Sequence, residues 1–251
     1  MAHPARANRT YRNVARIVRT FLRVVSRRDW RGTEHLRREG GFLVAANHVT
    51  EIDSVTTAHV LYDNGVAPRI LAKAGLFTVP VLGAVLRGTG QITVDRGTTR
   101  AVDALDGAVR AIDGGEVVLV FPEGTLTRDP DLWPMAARTG LARIALASRA
   151  PVVPMAQWGS QDLLARYSKR LRPFPRKTIR ALVGQPVPLD DLYDRPRNAA
   201  VLREATDRVM DAITALLEEL RGETAPKPRF DLREHPEYEV RRTTYPPVPG
   251  R

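Results

Sequence analysis

The 251-residue sequence contains no cysteine, which excludes disulfide staples and thiolate metal sites and is compatible with a reducing compartment. Lysine is scarce: only Lys73, Lys169, Lys177 and Lys227 stand among 39 basic residues, so the net charge of +11 is carried by arginine. No uninterrupted apolar window approaches the roughly 18–20 residues needed to cross a bilayer. The apolar stretches near the N-terminus are broken by arginine every three or four residues, which argues against a cleavable leader. What remains is an apolar share of 43%, enough for one sizeable core in an ordinary globular chain.

The positive charge is concentrated. Residues 1–40 hold eleven arginines against Asp29, Glu34 and Glu39, an excess of eight. Within them Asn13–Val25 places Val14, Ile17, Val18, Phe21, Leu22 and Val25 at helical spacing, with Arg12, Arg16, Arg19 and Arg23 on another face. A basic amphipathic helix of this kind, with Trp30 after it, suits an anionic membrane surface. The same pattern also fits a helix packed on the main domain with a solvated arginine face. Nucleic acid is not expected as a partner, because no recognition motif or interleaved aromatic pattern accompanies the charge.

From residue 41, apolar runs alternate with helical patterns. Strands are expected at 42–46, 69–72, 91–94, 117–121, 152–156 and 178–183, and helices at 54–62, 77–87, 99–112, 139–148 and 199–220. The alternation predicts an α/β domain over 41–222, with a mostly parallel central sheet flanked by helices. Six prolines and many charges after Glu223 predict a C-terminal tail over 223–251, extended or poorly ordered.

Of five histidines, only His48 follows an expected buried strand with an acid close behind, in FLVAANHVTEIDS. Residues five apart point about 140° away from each other on one continuous helix. His48 and Asp53 can therefore meet only across a turn, with Asp53 near the start of the following helix. An aspartate bonded to Nδ1–H would fix the tautomer and leave Nε2 to take a proton. Spacing alone also allows a coincidental pair. In VVLVFPEGTLTRD the apolar run stops at Pro122, and Glu123, Gly124 and Thr125 follow. That segment reads either as a tight turn after a central strand or as a backbone approach to a ligand. Lys73 and Arg96 follow other strands, where they could grip an anion or form surface ion pairs.

Taken in order, NHVTEID, GQITVDR, FPEGT and APVVPMA resemble four sequence blocks of the glycerophospholipid acyltransferase family, particularly bacterial 1-acylglycerol-3-phosphate acyltransferases. The resemblance spans roughly residues 40–185. It implies acyl transfer from acyl-CoA or acyl carrier protein to a lysophospholipid hydroxyl, with His48 as base and Asp53 as its orienting acid. It implies no metal and no cofactor beyond the thioester co-substrate. Acceptor contacts carry over to Lys73, Arg96, Glu123, Gly124 and Thr125. The basic N-terminus would then hold the protein peripherally at the cell membrane, on its cytoplasmic face. Two positions depart from the family pattern: Thr50–Glu51 after the histidine, and Leu126 where an arginine usually follows FPEGT. The alternatives are an acyltransferase for another lysophospholipid or specialised lipid hydroxyl, and a noncatalytic lipid-binding protein of the same fold.

Overall fold

The computed structural model describes residues 7–94 and 100–238, with the backbone alone for 100–103. Helix α1 (Arg9–Val25) runs into strand β1 (Ser26–Arg31). There follow β2 (Phe42–Ala46), α2 (Asp53–Asp63), β3 (Pro68–Lys73), the short α3 (Ala74–Phe77), α4 (Pro80–Gly88) and β4 (Ile92–Val94). The remainder comprises α5 (Arg100–Asp113), β5 (Val117–Val120), α6 (Gly140–Ser148), β6 (Val152–Trp158), the short α7 (Ser160–Leu163), β7 (Lys177–Val183) and α8 (Ala199–Arg221).

The seven strands form one sheet in the order β1-β7-β6-β2-β5-β3-β4. Every neighbouring pair is parallel except β6–β7. Central β2 is buried at all five positions, as a strand covered on both faces must be. Its side chains alternate between faces. Leu43 and Ala45 join Val118 and Val120 under α5, α6 and α8, whereas Phe42, Val44 and Ala46 join Leu119 and Met155 under α2. Full burial of each large aliphatic side chain contributes roughly 1.5–3 kcal/mol, so these two clusters fix the layers. With β2, β5 and β3 parallel, their C-terminal ends open at the same edge, where α/β sheets place ligands.

Three departures from the sequence reading have physical causes. The helix expected over 77–87 starts only at Pro80, after a short α3 has ended at Phe77, because Pro80 takes the first position of α4 and holds Val79 extended before it. Ser26–Arg31 is a strand that its polar pattern conceals; parallel pairing with β7 supplies its hydrogen bonds. Residues 223–238 have little regular structure, yet they are seated on the domain. Ala225, Phe230 and Tyr238 are buried, and Ala136 N–H donates to the Phe230 carbonyl at 2.8 Å.

Helix α1 also presents an unexpected face. Arg19 and Arg23 of α1, with Arg28 of β1, close onto the Asp63 carboxylate at the end of α2, Arg28 donating at 2.8 Å. His59 stands beside Asp63 and edge-on to Trp30, and burial pushes its pKa down to about 4. Leu22 and Val25 pack inward, while Ile17, 72% exposed, aligns with Phe21 and Val24 along an outward apolar strip. Val81, 78% exposed, adds to that surface from the adjoining α4, together with Leu76, Val79 and Leu82. No helix among the described residues is long and apolar enough to cross a membrane.

Candidate active site

The segment after β2 is held by side chains that replace regular pairing. Asn47 extends the ladder to β6: its amide donates to the Gln157 carbonyl at 2.9 Å and accepts from Gln157 N–H at 2.8 Å. Gln157 also accepts from Thr56 Oγ1 at 2.8 Å, tying β6 to α2. Beyond Asn47 the chain turns, and Asp53 becomes the first residue of α2. From there its carboxylate folds back over the turn, accepting from Val49 N–H at 2.5 Å and Thr50 N–H at 2.8 Å. Thr50 Oγ1 at 3.0 Å and Ser160 Oγ at 2.6 Å complete the other oxygen. A carboxylate with 0% exposure is tolerable only with such a full set of donors.

His48 lies against this carboxylate, Nδ1 to Oδ2 at 3.1 Å. Phe121 stacks on the imidazole with ring centroids 4.1 Å apart. The ring is part-exposed and faces a cavity of about 1070 Å³ that runs from α1 and α2 past β3 to α6. The cavity wall is mainly apolar, including Val18, Val55, Leu82, Leu86, Leu105 and Ile144. Among the described residues, Arg19, Lys73, Arg138 and Arg143 also line it, against the carboxylate of Glu51. Arg19 is already engaged by Asp63, so the remaining cations leave the cavity surplus positive.

The residues singled out in the sequence divide into three groups. His48, Lys73, Gly124 and Thr125 line the cavity together, with Asp53 directly behind the imidazole. Arg96 lies outside the described residues. Glu123 is absent from the cavity wall and 2% exposed, which differs from the acceptor contact expected of it. Its Oε1 accepts from His48 N–H and its Oε2 from Met135 N–H, each at 3.1 Å. Thr127 N–H donates to the His48 carbonyl at 2.6 Å, so the turn after β5 grips the His48 backbone on both sides. Leu126, in place of the family's arginine, is buried in the cavity wall. Ser160 and Gln157, which sequence reasoning missed, complete the network from more than a hundred residues away.

Burial raises the pKa of Glu123 from 4.5 to about 8, despite the two amide bonds that favour its charged form. The fold thus prefers the protonated acid. Its stabilising contribution is complete below the unfolded value near 4.5 and is lost as pH rises toward 8. Integrated over that window, the effect reaches at most about 5 kcal/mol. Glu123→Gln is therefore expected to unfold with a flatter pH dependence than wild type between pH 4.5 and 8, measured by urea denaturation. The variant also loses one amide acceptor, at a cost of about 1–3 kcal/mol. Parallel pH curves for the two proteins would contradict this assignment.

The chain belongs to the Acyltransferase family, which it matches over residues 27–158, more than half of its length. That agrees with the resemblance to glycerophospholipid acyltransferases read from the four blocks. It is 30% identical over 146 residues to a 1-acyl-sn-glycerol-3-phosphate acyltransferase of Limnanthes douglasii, covering 57% of this chain and 50% of that protein. Identity is 27% over 175 residues with the chloroplastic acyltransferase BAT2 of Brassica napus, covering 68% and 48% respectively. The chain thus spans about half the length of these curated relatives. Its fold is that of the crystal structure of the 1-acyl-sn-glycerophosphate acyltransferase PlsC from Thermotoga maritima, with a TM-score of 0.63 at 20% identity over 86% of this chain and 83% of that one.

Proposed function

We propose that this chain is an O-acyltransferase that moves a fatty acyl group from acyl-CoA or acyl carrier protein to the sn-2 hydroxyl of 1-acylglycerol 3-phosphate, giving phosphatidate. The observation that carries the reading is the 3.1 Å His48–Asp53 contact at a large apolar cavity where Lys73, Arg138 and Arg143 have no ion-pair partner among the described residues. His48 Nε2 takes the proton of the acceptor hydroxyl as its oxygen attacks the thioester carbonyl carbon. Asp53 holds the ring and stabilises the imidazolium that forms. Collapse of the tetrahedral intermediate breaks the C–S bond, and the thiol leaves with the proton carried by His48. The step forms an ester and a thiol, and it needs no covalent acyl-enzyme. General-base assistance accounts for about 10²–10⁴-fold; holding both substrates in register supplies much of the rest.

The cation surplus favours an anionic acceptor, and the apolar wall suits its acyl chain and that of the donor. Leu126 adds no charge beside the Glu123–Gly124–Thr125 turn, which keeps another lysophospholipid as the second reading. A peripheral position on the cytoplasmic face of the cell membrane fits the outward strip of Ile17, Phe21 and Val24 and the neighbouring α4 residues, with Arg16 among them. One experiment tests the whole reading. Anionic vesicles carrying a panel of lysolipids are mixed with labelled acyl-CoA, and products and bound protein are measured. Phosphatidate from vesicle-bound enzyme is the expected result. Products only from neutral lysolipids would overturn the acceptor, and protein left in solution would overturn the membrane position.

A further inference from the structure

In a 1-acylglycerol 3-phosphate the attacking oxygen and the phosphorus are separated only by two carbons and one ester oxygen. A cation that holds the phosphate while His48 deprotonates the hydroxyl must therefore belong to the same local framework as His48. Three cations line the cavity without an ion-pair partner among the described residues: Lys73, Arg138 and Arg143. Lys73 ends β3 and Arg143 sits on α6, and both are exposed, as Arg138 is.

Arg138 differs from both in how it is built in. Its own N–H donates to the Pro122 carbonyl at 3.1 Å. Met135 N–H is held by Glu123, the residue that also holds the His48 backbone, and Ala136 N–H is held by Phe230. The segment carrying Arg138 is thereby fixed to the turn that grips His48. Gly124, at φ +72°, lies flat beneath the arginine stem: a Cβ there would meet Arg138 Cδ at 3.4 Å and Nε at 3.7 Å. The side chain is thus laid across the turn toward the cavity that it lines, while the turn itself, Pro122 to Leu126, brings no cation of its own. A guanidinium offers a planar fork of donors that matches a phosphate monoester.

We propose that Arg138 is the specificity-determining anion clamp of this cavity, binding the acceptor's phosphate beside His48; this rests on the acyl-transfer reading above. The donor also carries phosphates in its coenzyme A or phosphopantetheine portion, and the test separates the two sources. Arg138→Gln, Arg138→Lys and a charge control, Arg31→Gln, whose guanidinium pairs with Glu219 on the exposed surface, are assayed for KM and kcat with lysophosphatidate and with acyl-CoA varied separately. Expected for Arg138→Gln is a rise of about 10- to 100-fold in the lysophosphatidate KM, a much smaller change in kcat, and an unchanged acyl-CoA KM. Arg138→Lys should recover part of the loss, and Arg31→Gln should match wild type. An unchanged lysophosphatidate KM, or a rise in the acyl-CoA KM instead, overturns the clamp. Calorimetric titration with a soluble short-chain lysophosphatidate reads the site independently of turnover. If wild type transfers no acyl group yet binds this probe, and Arg138→Gln does not, the proposed function fails while the clamp stands. If both bind it equally, the clamp fails.

Discussion

His48→Ala is expected to lower thioester-dependent acylation by about 10²–10⁴-fold, the range that a positioned general base supplies. The fold should survive, because the Asp53 carboxylate keeps its other four donors from Val49, Thr50 and Ser160 once the imidazole is gone. Retention on anionic vesicles should also survive, since α1 and α4 lie outside the substitution. A thermal melt close to wild type, combined with lost turnover in the labelled-donor assay, separates an enzyme from a lipid-binding protein of the same fold. Full turnover in a folded His48→Ala protein would remove the imidazole from the chemistry.

Asp53→Asn should also cost about 10²–10³-fold in kcat, for a reason that the geometry isolates. The oxygen facing His48 accepts from three N–H groups, whereas the other receives only the hydroxyls of Thr50 and Ser160. An asparagine can keep its carbonyl on the first set and turn its NH₂ toward the two hydroxyls, which accept as readily as they donate. The ring tautomer is then preserved and only the charge that stabilises the imidazolium is removed. The loss is accordingly smaller than the ~10⁴-fold seen when a triad aspartate's replacement selects the wrong tautomer. Asp53→Ala is the contrasting variant, because it strands several buried donors and is expected to unfold at lower temperature. Melts and kcat measured side by side test the distinction. Equal kcat for Asp53→Asn and wild type would show that the charge plays no part.

The central strands were legible because burial on both faces imposes continuous apolar runs: Phe42–Ala46 has the bounds expected from its sequence. His48 and Asp53 were legible as a pair because a strand end and a helix start leave one turn between them. The partners that complete the pair were not. Ser160 reaches Asp53 only because β6 lies beside β2, a proximity that no local pattern announces. Glu123 carried a readable sign, an acid directly behind a buried apolar run, but whether such a group faces a ligand or backbone amides depends on which segments surround it. Arg138 had no local signal at all, since its relation to Gly124 is set by the Glu123, Pro122 and Phe230 contacts. Polar β1 escaped notice because its strand conformation comes from β7 and not from its own side chains.

Helix α2 begins at Asp53 and ends at Asp63, so one rod of about 15 Å carries the acid behind the imidazole at one tip and the arginine-clasped carboxylate at the other. The arginines that clasp Asp63 and the proposed reacting centre are thus mounted on a common shaft. If α1 rests on a membrane as proposed, its depth would set, to within that length, the height of the imidazole above the hydrocarbon.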